Sequence, residues 1–263
     1  GDFDPSIRNL AQHVVLNGGK RIRPFLVYTC GAGNPEATEY LLKASSVIEI
    51  VHVATLVHDD ILDSASLRRN KPTLHSQFGE HTAILLGDAL FSFALELATD
   101  FPDSSVCRIV SRSTRKTCSG EINQNFNKGN FHLSADDYFA IIQDKTGELF
   151  SASCMIGAHL AGGNDDLIDI LSDFGNSLGL NYQIYDDLID TFGNSFTSGK
   201  TLGTDFQSGK VTLPVIRLLE SLPQSISEPF LDTFSENSTN EDFKKYFGRL
   251  LIDHCIHEIC LLE

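Results

Sequence analysis

Several features that assign a protein to other functional classes are scarce or absent in this 263-residue sequence. Its 6 cysteines form no C-x-x-C pair and no cluster with histidine at zinc-ligand spacing, so we predict no zinc site and reduced, mostly buried thiols. Basic residues number 20 against 35 acidic ones, and the formal charge is −15. Binding to a phosphate backbone needs a basic face, so we predict no nucleic-acid partner.

Long apolar runs are missing as well. No stretch of about 18 uncharged apolar residues is visible, whereas a membrane-spanning helix needs about 20 apolar residues. We therefore predict no transmembrane segment and a cytoplasmic protein. The sequence begins at Gly1 without a basic and apolar leader. Because glycine is not an initiator residue, an organellar protein whose targeting peptide was removed is an open alternative.

Helical periodicity dominates the rest of the sequence. Apolar residues recur three and four positions apart at 39–98, 136–160, 167–192 and 212–222, whereas the alternation typical of strands is scarce. Gly, Pro, Asn and Ser concentrate between and within these stretches, at 31–35, 70–72, 101–103, 162–164 and 193–209, which indicates interhelical loops. We predict an all-α fold, a single domain over residues 1–263 that forms a bundle of about ten helices with a central cavity.

Two acidic motifs of the form Asp-Asp-x-x-Asp lie inside apolar helical stretches, and they consist of Asp59, Asp60, Asp63 and of Asp186, Asp187, Asp190. In a helix the first and third aspartates of such a motif share a face, and the middle one points about 100° away. Two such faces opposed across a bundle would repel each other unless cations lay between them. Ligands that are all oxygen favour magnesium, whose coordination shell a substrate phosphate can complete.

A single motif of this kind would be interpreted as a solvated acidic helix face. Two motifs, both in apolar surroundings where unpaired charge is costly, favour the metal site. A carboxylate-bridged di-iron bundle is an alternative, because Glu49 and His52 have Glu-x-x-His spacing. That class requires a second copy of the pattern, and none lies on an apolar helical background.

The few basic residues cluster near these motifs. Gly18 and Gly19, which allow a ligand close to the backbone, precede Lys20, Arg21 and Arg23, and this run predicts an anion clamp. Further cations follow at Arg68, Arg69, Lys145, Lys200 and Lys210. Guanidinium groups suit the oxygens of a phosphate. His52 shares a helical stripe with Thr55, Asp59 and Asp63, so we expect it to contact a diphosphate.

In this order the motifs resemble those of the trans-prenyltransferases, the head-to-tail polyprenyl diphosphate synthases, from Gly18 to about Pro214. The resemblance is carried by Gly-Gly-Lys-x-x-Arg-Pro at 18–24, Glu49 with His52 before His58-Asp59-Asp60, Arg68-Arg69, Gly87-Asp88, Gly120-Glu121 with Gln124, Lys145-Thr146-Gly147, Gln183 before Asp186-Asp187, Gly199-Lys200 and Gly209 to Pro214.

The resemblance implies an isoprenoid synthase-like homodimer that condenses isopentenyl diphosphate with an allylic prenyl diphosphate, using three magnesium ions per site. Asp59, Asp63 and Asp186 would bind magnesium, with support from Asp60, Asp187 and Asp190. The allylic diphosphate would be held by Arg68, Lys145, Lys200 and Lys210, and isopentenyl diphosphate by Lys20, Arg23, His52 and Arg69. Thr146 and Gln183 would flank the nascent carbocation, so that we count them as catalytic together with Lys145, Lys200 and the three magnesium-binding aspartates.

Product length should depend on the cavity beneath the first motif. Ala54 and Thr55 lie about one helical turn before Asp59, and they are small where short-chain members of the family carry aromatic plugs. A growing chain could pass them and reach Phe91 or Phe93, so we predict a medium to long product, longer than farnesyl.

Two departures from the family pattern stand out. Asn70 occupies a position where the family usually has glycine. We also expect the chain to be trimmed at both ends, without the family's full first helix and basic C-terminal tail.

Two other functions are alternatives. A terpene cyclase or head-to-head synthase would keep the acidic motifs but would not need a second set of cations. A non-catalytic subunit of a heteromeric prenyl synthase would be expected to lose metal ligands, and both motifs are intact here.

Overall fold

The structure is a computed structural model that describes residues 4–16, 18–69, 71–192, 205, 208–223, 225–227 and 241–262. Across these residues, regular structure consists of twelve α-helices, two short helical turns of other types and one pair of two-residue antiparallel strands. The prediction of an all-helical fold is confirmed.

The α-helices are α1 (Pro5–Val15), α2 (Ile22–Gly31), α3 (Thr38–Leu62), α4 (Leu74–Phe78), α5 (Glu80–Thr99), α6 (Ser105–Phe126), α7 (Ala135–Ile142), α8 (Glu148–Leu160), α9 (Asp165–Phe192), α10 (Leu213–Ser221), α11 (Glu241–Asp253) and α12 (Ile256–Cys260). A 3-10 turn at Pro35–Ala37 precedes α3, and a π-helical turn at Gln143–Gly147 joins α7 to α8. Strands β1 (Leu67–Arg68) and β2 (Lys71–Pro72) pair after α3.

One long helix, α6, was not predicted from hydrophobic periodicity. Its buried side chains include Ser113 and Thr117 as well as Val106 and Val110. Because half of these buried residues are polar, the apolar signal of the buried face is weak. The predicted breaks at 101–103 and 162–164 fall between helices, and the break at 31–35 runs from the last residue of α2 to the first residue of the 3-10 turn. Most of 193–209 lies outside the described residues.

The chain divides into two compact units. Unit 1 comprises Gly1–Thr117 and Thr146–Gly179, and unit 2 comprises Cys118–Lys145 and Leu180–Glu263. In unit 1, α3 packs against α5 through buried residues such as Val53, Val57, Leu86 and Leu90. The single-domain organisation stays a prediction.

Unit 2 has an apolar core of its own. It contains buried side chains from α7, α9, α10, α11 and α12, among them Ile142, Leu188, Leu218, Leu251 and Ile256. The second acidic motif lies on α9 beside this core.

Two helical segments, Pro35–Leu62 and Glu80–Thr99, are long and apolar enough by length and composition to cross a membrane, each with a mean hydropathy of 1.5. In the first, 50% of the most apolar window is buried, against 33% in the second. The core helix of a soluble protein passes the same test, so these segments are weak evidence for a membrane protein.

The six cysteines are all free thiols. Cys154 and Cys260 are buried, Cys30 and Cys107 are partly buried, and the remaining two, Cys118 and Cys255, are exposed. The expectation of mostly buried thiols therefore holds for only part of the set.

Candidate active site

In unit 1 the first acidic motif lies at the C-terminal end of α3. The middle aspartate, Asp60, is only 6% exposed, and its Oδ1 accepts a hydrogen bond from Nε of Arg68 at 2.6 Å. Burial raises the pKa of Asp60 above its ordinary value, and the charge of Arg68 opposes that shift. Asp59 is partly buried, and Asp63, which follows the last helical residue, is exposed.

In unit 2 the second motif repeats this division. The middle aspartate, Asp187, is 3% exposed. Its Oδ2 accepts a hydrogen bond from the hydroxyl of Tyr138 at 2.7 Å, and its Oδ1 accepts one from Nε2 of Gln183 at 2.7 Å. Asp186 and Asp190 are partly buried. In both motifs the helical period turns the middle carboxylate into the protein and leaves the outer two nearer the surface.

The donor sets of both motifs consist of carboxylate oxygens, which suit a hard cation such as magnesium. Among the residues that the structure describes, no three His, Cys, Asp or Glu side chains converge as a metal cage would require. Magnesium usually takes only one or two carboxylates and completes its shell with water and substrate phosphates. The pairs of outer aspartates therefore fit a metal that binds together with a diphosphate.

A cluster of arginines surrounds His52 in unit 1. Nε2 of His52 accepts a hydrogen bond from Nη1 of Arg23 at 3.3 Å. Burial lowers the pKa of His52 well below its ordinary value, and the charges of Arg23, Arg68, Arg69 and Arg21 lower it further. The lowered pKa favours the neutral imidazole, which adds no further positive charge to the cluster.

The backbone before α2 is arranged around two of these arginines. Arg21 adopts a left-handed conformation with φ of 50°, and its guanidinium pairs with Glu49 and with the carbonyl of Val15. Burial raises the pKa of Glu49, and Arg21 opposes the shift. Arg69 donates to the carbonyl of Gly18.

Gly19 has φ of +141°, and a Cβ there would lie 2.8 Å from Nη1 of Arg69. Gly19 therefore makes room for the guanidinium of Arg69, whereas the sequence analysis considered only room for a ligand at the two glycines. Lys20 is exposed.

A cleft in unit 1 connects this cluster with the first motif. It is lined by Glu49, Asp60, Arg68 and Arg69 on its polar side and by apolar residues such as Val57. Cationic and carboxylate side chains therefore border one space within this unit.

Lys145 lies on the π-helical turn that follows α7. Its Nζ is 2.5 Å from Oε2 of Glu121 and donates to Oε1 of Gln124 at 2.6 Å. π-helical turns are rare and occur frequently at functional sites. Thr146, the next residue, is 6% exposed.

Asp205 belongs to the surroundings of the second motif. Its backbone N–H donates to Oδ2 of Asp190 at 3.1 Å, and its carboxylate lies 3.6 Å from Nζ of Lys210. Burial and then the charge of Asp190 raise the pKa of Asp205, whereas Lys210 and Lys145 lower it. Lys210 and Lys145, both predicted to bind diphosphate, thus both stabilise the ionised carboxylate of Asp205. Lys200 and Asn70 lie outside the described residues.

The residues predicted to control product length occupy different environments. Ala54 is 0% exposed and packs in the core between α3 and α5. Thr55 is partly buried on the stripe of His52, and its hydroxyl donates to the carbonyl of that residue at 2.8 Å. Phe91 packs against His58, with 5.8 Å between ring centroids, and Phe93 is partly buried.

The sequence motifs and this geometry agree with a family model described as polyprenyl synthetase, which matches residues 4–250. The chain belongs to this family. The prediction of a polyprenyl diphosphate synthase is thereby confirmed at the level of the family.

Two relatives with different product names illustrate the match. The short chain isoprenyl diphosphate synthase of Methanocaldococcus jannaschii is 34% identical over 249 residues, which cover 93% of this chain and 76% of that protein. Heptaprenyl diphosphate synthase component 2 of Geobacillus stearothermophilus is 35% identical over 209 residues, which cover 80% of this chain and 65% of that protein.

A solved structure of the family is also closely similar. Polyprenyl synthase from Caulobacter crescentus CB15, crystallised with calcium and isoprenyl diphosphate, superimposes with a TM-score of 0.91 at 32% sequence identity. The alignment covers 99% of this chain and 80% of that one.

Sequence reasoning assigned no role to three residues that the structure places at the candidate site: Tyr138, Asp205 and Glu121. Glu121 was noted only as part of a motif, before Gln124. Asp205 lies between Lys200 and Lys210 in sequence. An acidic residue between two predicted diphosphate-binding lysines was the only sequence feature that could have indicated its place at the site. Tyr138 is 49 residues from its partner Asp187, and no local pattern reveals such a contact.

Proposed function

We propose that this chain is a chain-elongating trans-prenyltransferase, which joins isopentenyl diphosphate to an allylic prenyl diphosphate in the presence of magnesium. The arginine cluster around the neutral His52 is the observation that supports this function most directly. It offers cations for an anionic ligand beside the carboxylates of the first motif, and Arg68 links the two groups through Asp60. Two diphosphate substrates need two sets of cations, whereas a cyclase has only one diphosphate to hold.

In the proposed site, Asp59, Asp63 and Asp186 would hold magnesium, three ions in all, with support from Asp60, Asp187 and Asp190. The bound metal would supply charge neutralisation of the departing diphosphate. Arg68, Lys145, Lys200 and Lys210 would bind the same leaving group. Lys20, Arg23, His52 and Arg69 would hold isopentenyl diphosphate.

The proposed reaction begins when the carbon–oxygen bond of the allylic substrate breaks and the diphosphate takes the electron pair. The allylic carbon then bonds to the terminal alkene carbon of isopentenyl diphosphate. Loss of a proton from the neighbouring carbon restores a double bond, and the released diphosphate is the base that we propose. Preorganised cations that meet the developing negative charge would contribute most of the rate enhancement.

We propose a product longer than farnesyl. The support is the environment of Thr55, a small side chain that is only partly buried on the stripe of the first motif. Nothing as large as an aromatic ring stands at this position, so a growing chain would not be stopped there.

The test is an incubation of the purified chain with isopentenyl diphosphate and geranyl or farnesyl diphosphate, with magnesium or with a chelator. We expect magnesium-dependent products longer than farnesyl diphosphate by chromatography and mass spectrometry. An Asp59→Ala variant that keeps full magnesium-dependent turnover would contradict the assignment of the first motif. Exclusive formation of geranyl or farnesyl diphosphate would contradict the proposed product length.

A second candidate is a subunit of a two-component synthase, because a relative at 35% identity is named component 2 of a heptaprenyl diphosphate synthase. The same incubation separates the two candidates. A homomeric enzyme turns over alone, whereas a subunit of a heteromeric enzyme needs a partner chain.

A further inference from the structure

Three side chains of unit 2 form a hydrogen-bonded chain with Asp187 in the middle. The hydroxyl of Tyr138 donates to Oδ2 of Asp187 and the amide nitrogen of Gln183 donates to Oδ1, both at 2.7 Å. Tyr138 is 2% exposed and Asp187 is 3% exposed. Both oxygens of this carboxylate are thus engaged by neutral donors inside the protein.

The contact with Asp187 determines which way the amide of Gln183 is turned. In the structure Oδ1 of Asp187 is the acceptor in this contact, whereas the Gln183 amide has a donor end and an acceptor end. With Nε2 of Gln183 directed at Asp187, the carbonyl oxygen Oε1 is directed away from it. The opposite orientation would place two acceptor oxygens against each other in a buried environment, which is unfavourable.

Tyr138 restrains Asp187 in turn. A carboxylate that is anchored at one oxygen can rotate about its Cβ–Cγ bond, whereas one anchored at both oxygens by separate helices cannot do so freely. Tyr138 comes from α7 and Gln183 lies one turn before Asp187 on α9. The hydroxyl therefore fixes the plane of the carboxylate, and the carboxylate fixes the amide.

We propose that Tyr138 and Asp187 are positioning residues that orient the Gln183 amide, so that its carbonyl oxygen meets the positive charge that develops on the allylic carbon. This inference rests on the function proposed above. An amide oxygen carries partial negative charge in a fixed direction, so it stabilises a nearby cation without reorganisation at the moment of reaction. Asp187 is accordingly a support for Gln183 and not a direct ligand of the metal.

A kinetic double-mutant cycle tests the coupling between the two ends of this chain. The variants are Tyr138→Phe, Gln183→Leu and their combination, with Tyr185→Phe as a matched control, because Tyr185 is on α9 but is 61% exposed. We expect Tyr138→Phe to lower kcat about tenfold while the KM for each diphosphate changes by less than about twofold. In the Gln183→Leu background the same substitution should cause no further loss, and Tyr185→Phe should leave kcat unchanged.

A merely structural role for Tyr138 predicts a different result. If removal of its hydroxyl loosened unit 2 in general, it would lower kcat by the same factor with or without the Gln183 amide. That additive outcome overturns the proposal, and so does an unchanged kcat in Tyr138→Phe.

Two measurements are independent of turnover. Urea unfolding of the wild type, Tyr138→Phe, Gln183→Leu and the double variant gives a second cycle. If the two side chains are coupled, the double variant should lose less stability than the sum of the two single losses. Calorimetric titration with magnesium in the presence of inorganic diphosphate, on wild type and Asp187→Asn, tests the metal assignment. We expect affinities within about threefold, whereas a loss well beyond about tenfold would identify Asp187 as a ligand and overturn the proposal.

The design separates failure of this inference from failure of the proposed function. Wild-type protein without any prenyl transfer would contradict the proposed function, and the catalytic consequence drawn here would fall with it. The unfolding cycle would then still decide whether Tyr138, Asp187 and Gln183 are coupled. Active wild type with an additive kinetic cycle would contradict the inference alone.

Discussion

His52 illustrates how neighbours can set the charge of a single side chain. A histidine beside one carboxylate would gain a proton, but burial lowers the pKa of His52, and the charges of four arginines lower it further. Protonation would place a further positive charge in a cluster that is already cationic. The neutral imidazole can therefore accept a hydrogen bond from Arg23 and keep the guanidinium in place for an anionic ligand.

This environment predicts a pH dependence of stability. The folded-state pKa of His52 lies below that of the unfolded chain, so the unfolded state binds the proton first as the pH falls below about 6.5. Between pH 7.5 and 5.5 this should cost the wild type up to about 1.4 kcal/mol of unfolding free energy, the limit for one proton bound only by the unfolded chain. His52→Gln, which keeps an acceptor for Arg23, should lack that loss in urea unfolding at the two pH values. Equal losses in both proteins would show that His52 is not held neutral.

The unequal burial of the motif aspartates leads to a second prediction. Asp60 is buried and paired with Arg68, whereas Asp63 is exposed. Asp63→Asn should raise the magnesium concentration for half-maximal activity at least about tenfold more than Asp60→Asn does, a difference of about 1.4 kcal/mol. Initial rates across a magnesium titration give both values. A reversed order would mean that Asp60 turns outward when substrate binds.

At the scale of single elements, the π-helical turn Gln143–Gly147 depends on a close approach by α6. A Cβ at Gly120 would lie 2.4 Å from the backbone nitrogen of Lys145. No side chain fits at that distance, so any larger residue must displace the turn that carries Lys145.

We therefore predict that Gly120→Ala destabilises the protein by about 1–3 kcal/mol, the usual cost of overpacking, and also reduces kcat. Gly248→Ala is the matched control, because this glycine lies within α11 and nothing is within 4 Å of a Cβ there. The control should gain about 0.5–1 kcal/mol from helix propensity. Chemical unfolding and steady-state kinetics measure both effects, and equal behaviour of the two variants would contradict the packing argument.

The two small residues that precede the first motif on α3 lie in different environments. Thr55 is partly buried, so Thr55→Phe can project a ring toward the path of a growing chain and should shorten the main product. Ala54 is fully buried against α5, so Ala54→Phe should instead lower stability by about 1–3 kcal/mol or more. Product chromatography and thermal unfolding distinguish these effects. Unchanged product length in a folded Thr55→Phe protein would remove Thr55 from the chain-length determinants.

For the molecule as a whole, much of the helical architecture could be predicted because α3, α5, α8 and α9 carry regular apolar spacing. The division of each motif into outer and middle aspartates also follows from the helical period alone. α6 escaped prediction because its buried face contains Ser113 and Thr117.

The contacts that complete the candidate site could not be predicted in the same way. Arg23 meets His52 across 29 positions, and Lys145 meets Gln124 across 21. Such contacts depend on how helices pack, and one sequence contains no local pattern that encodes them.

One face of α5 exposes large apolar side chains. Ile84, Leu85 and Leu95 are 43%, 68% and 37% exposed, in a helix whose most apolar window is only 33% buried. Apolar exposure of this kind marks an interface or a membrane contact. The resemblance to the trans-prenyltransferases implies a homodimer, and we expect a second copy of the chain to cover this face.

Sedimentation equilibrium without detergent should therefore give twice the 28.9 kDa of one chain. Leu85→Glu places a charge in the proposed interface and should shift the protein toward the monomer, because an unpaired charge is costly to bury. Ile252→Glu is the matched control, since Ile252 on α11 is 70% exposed, and this variant should sediment as the wild type does. A monomeric wild type that binds to phospholipid vesicles through α5 would contradict the homodimer and favour the membrane contact.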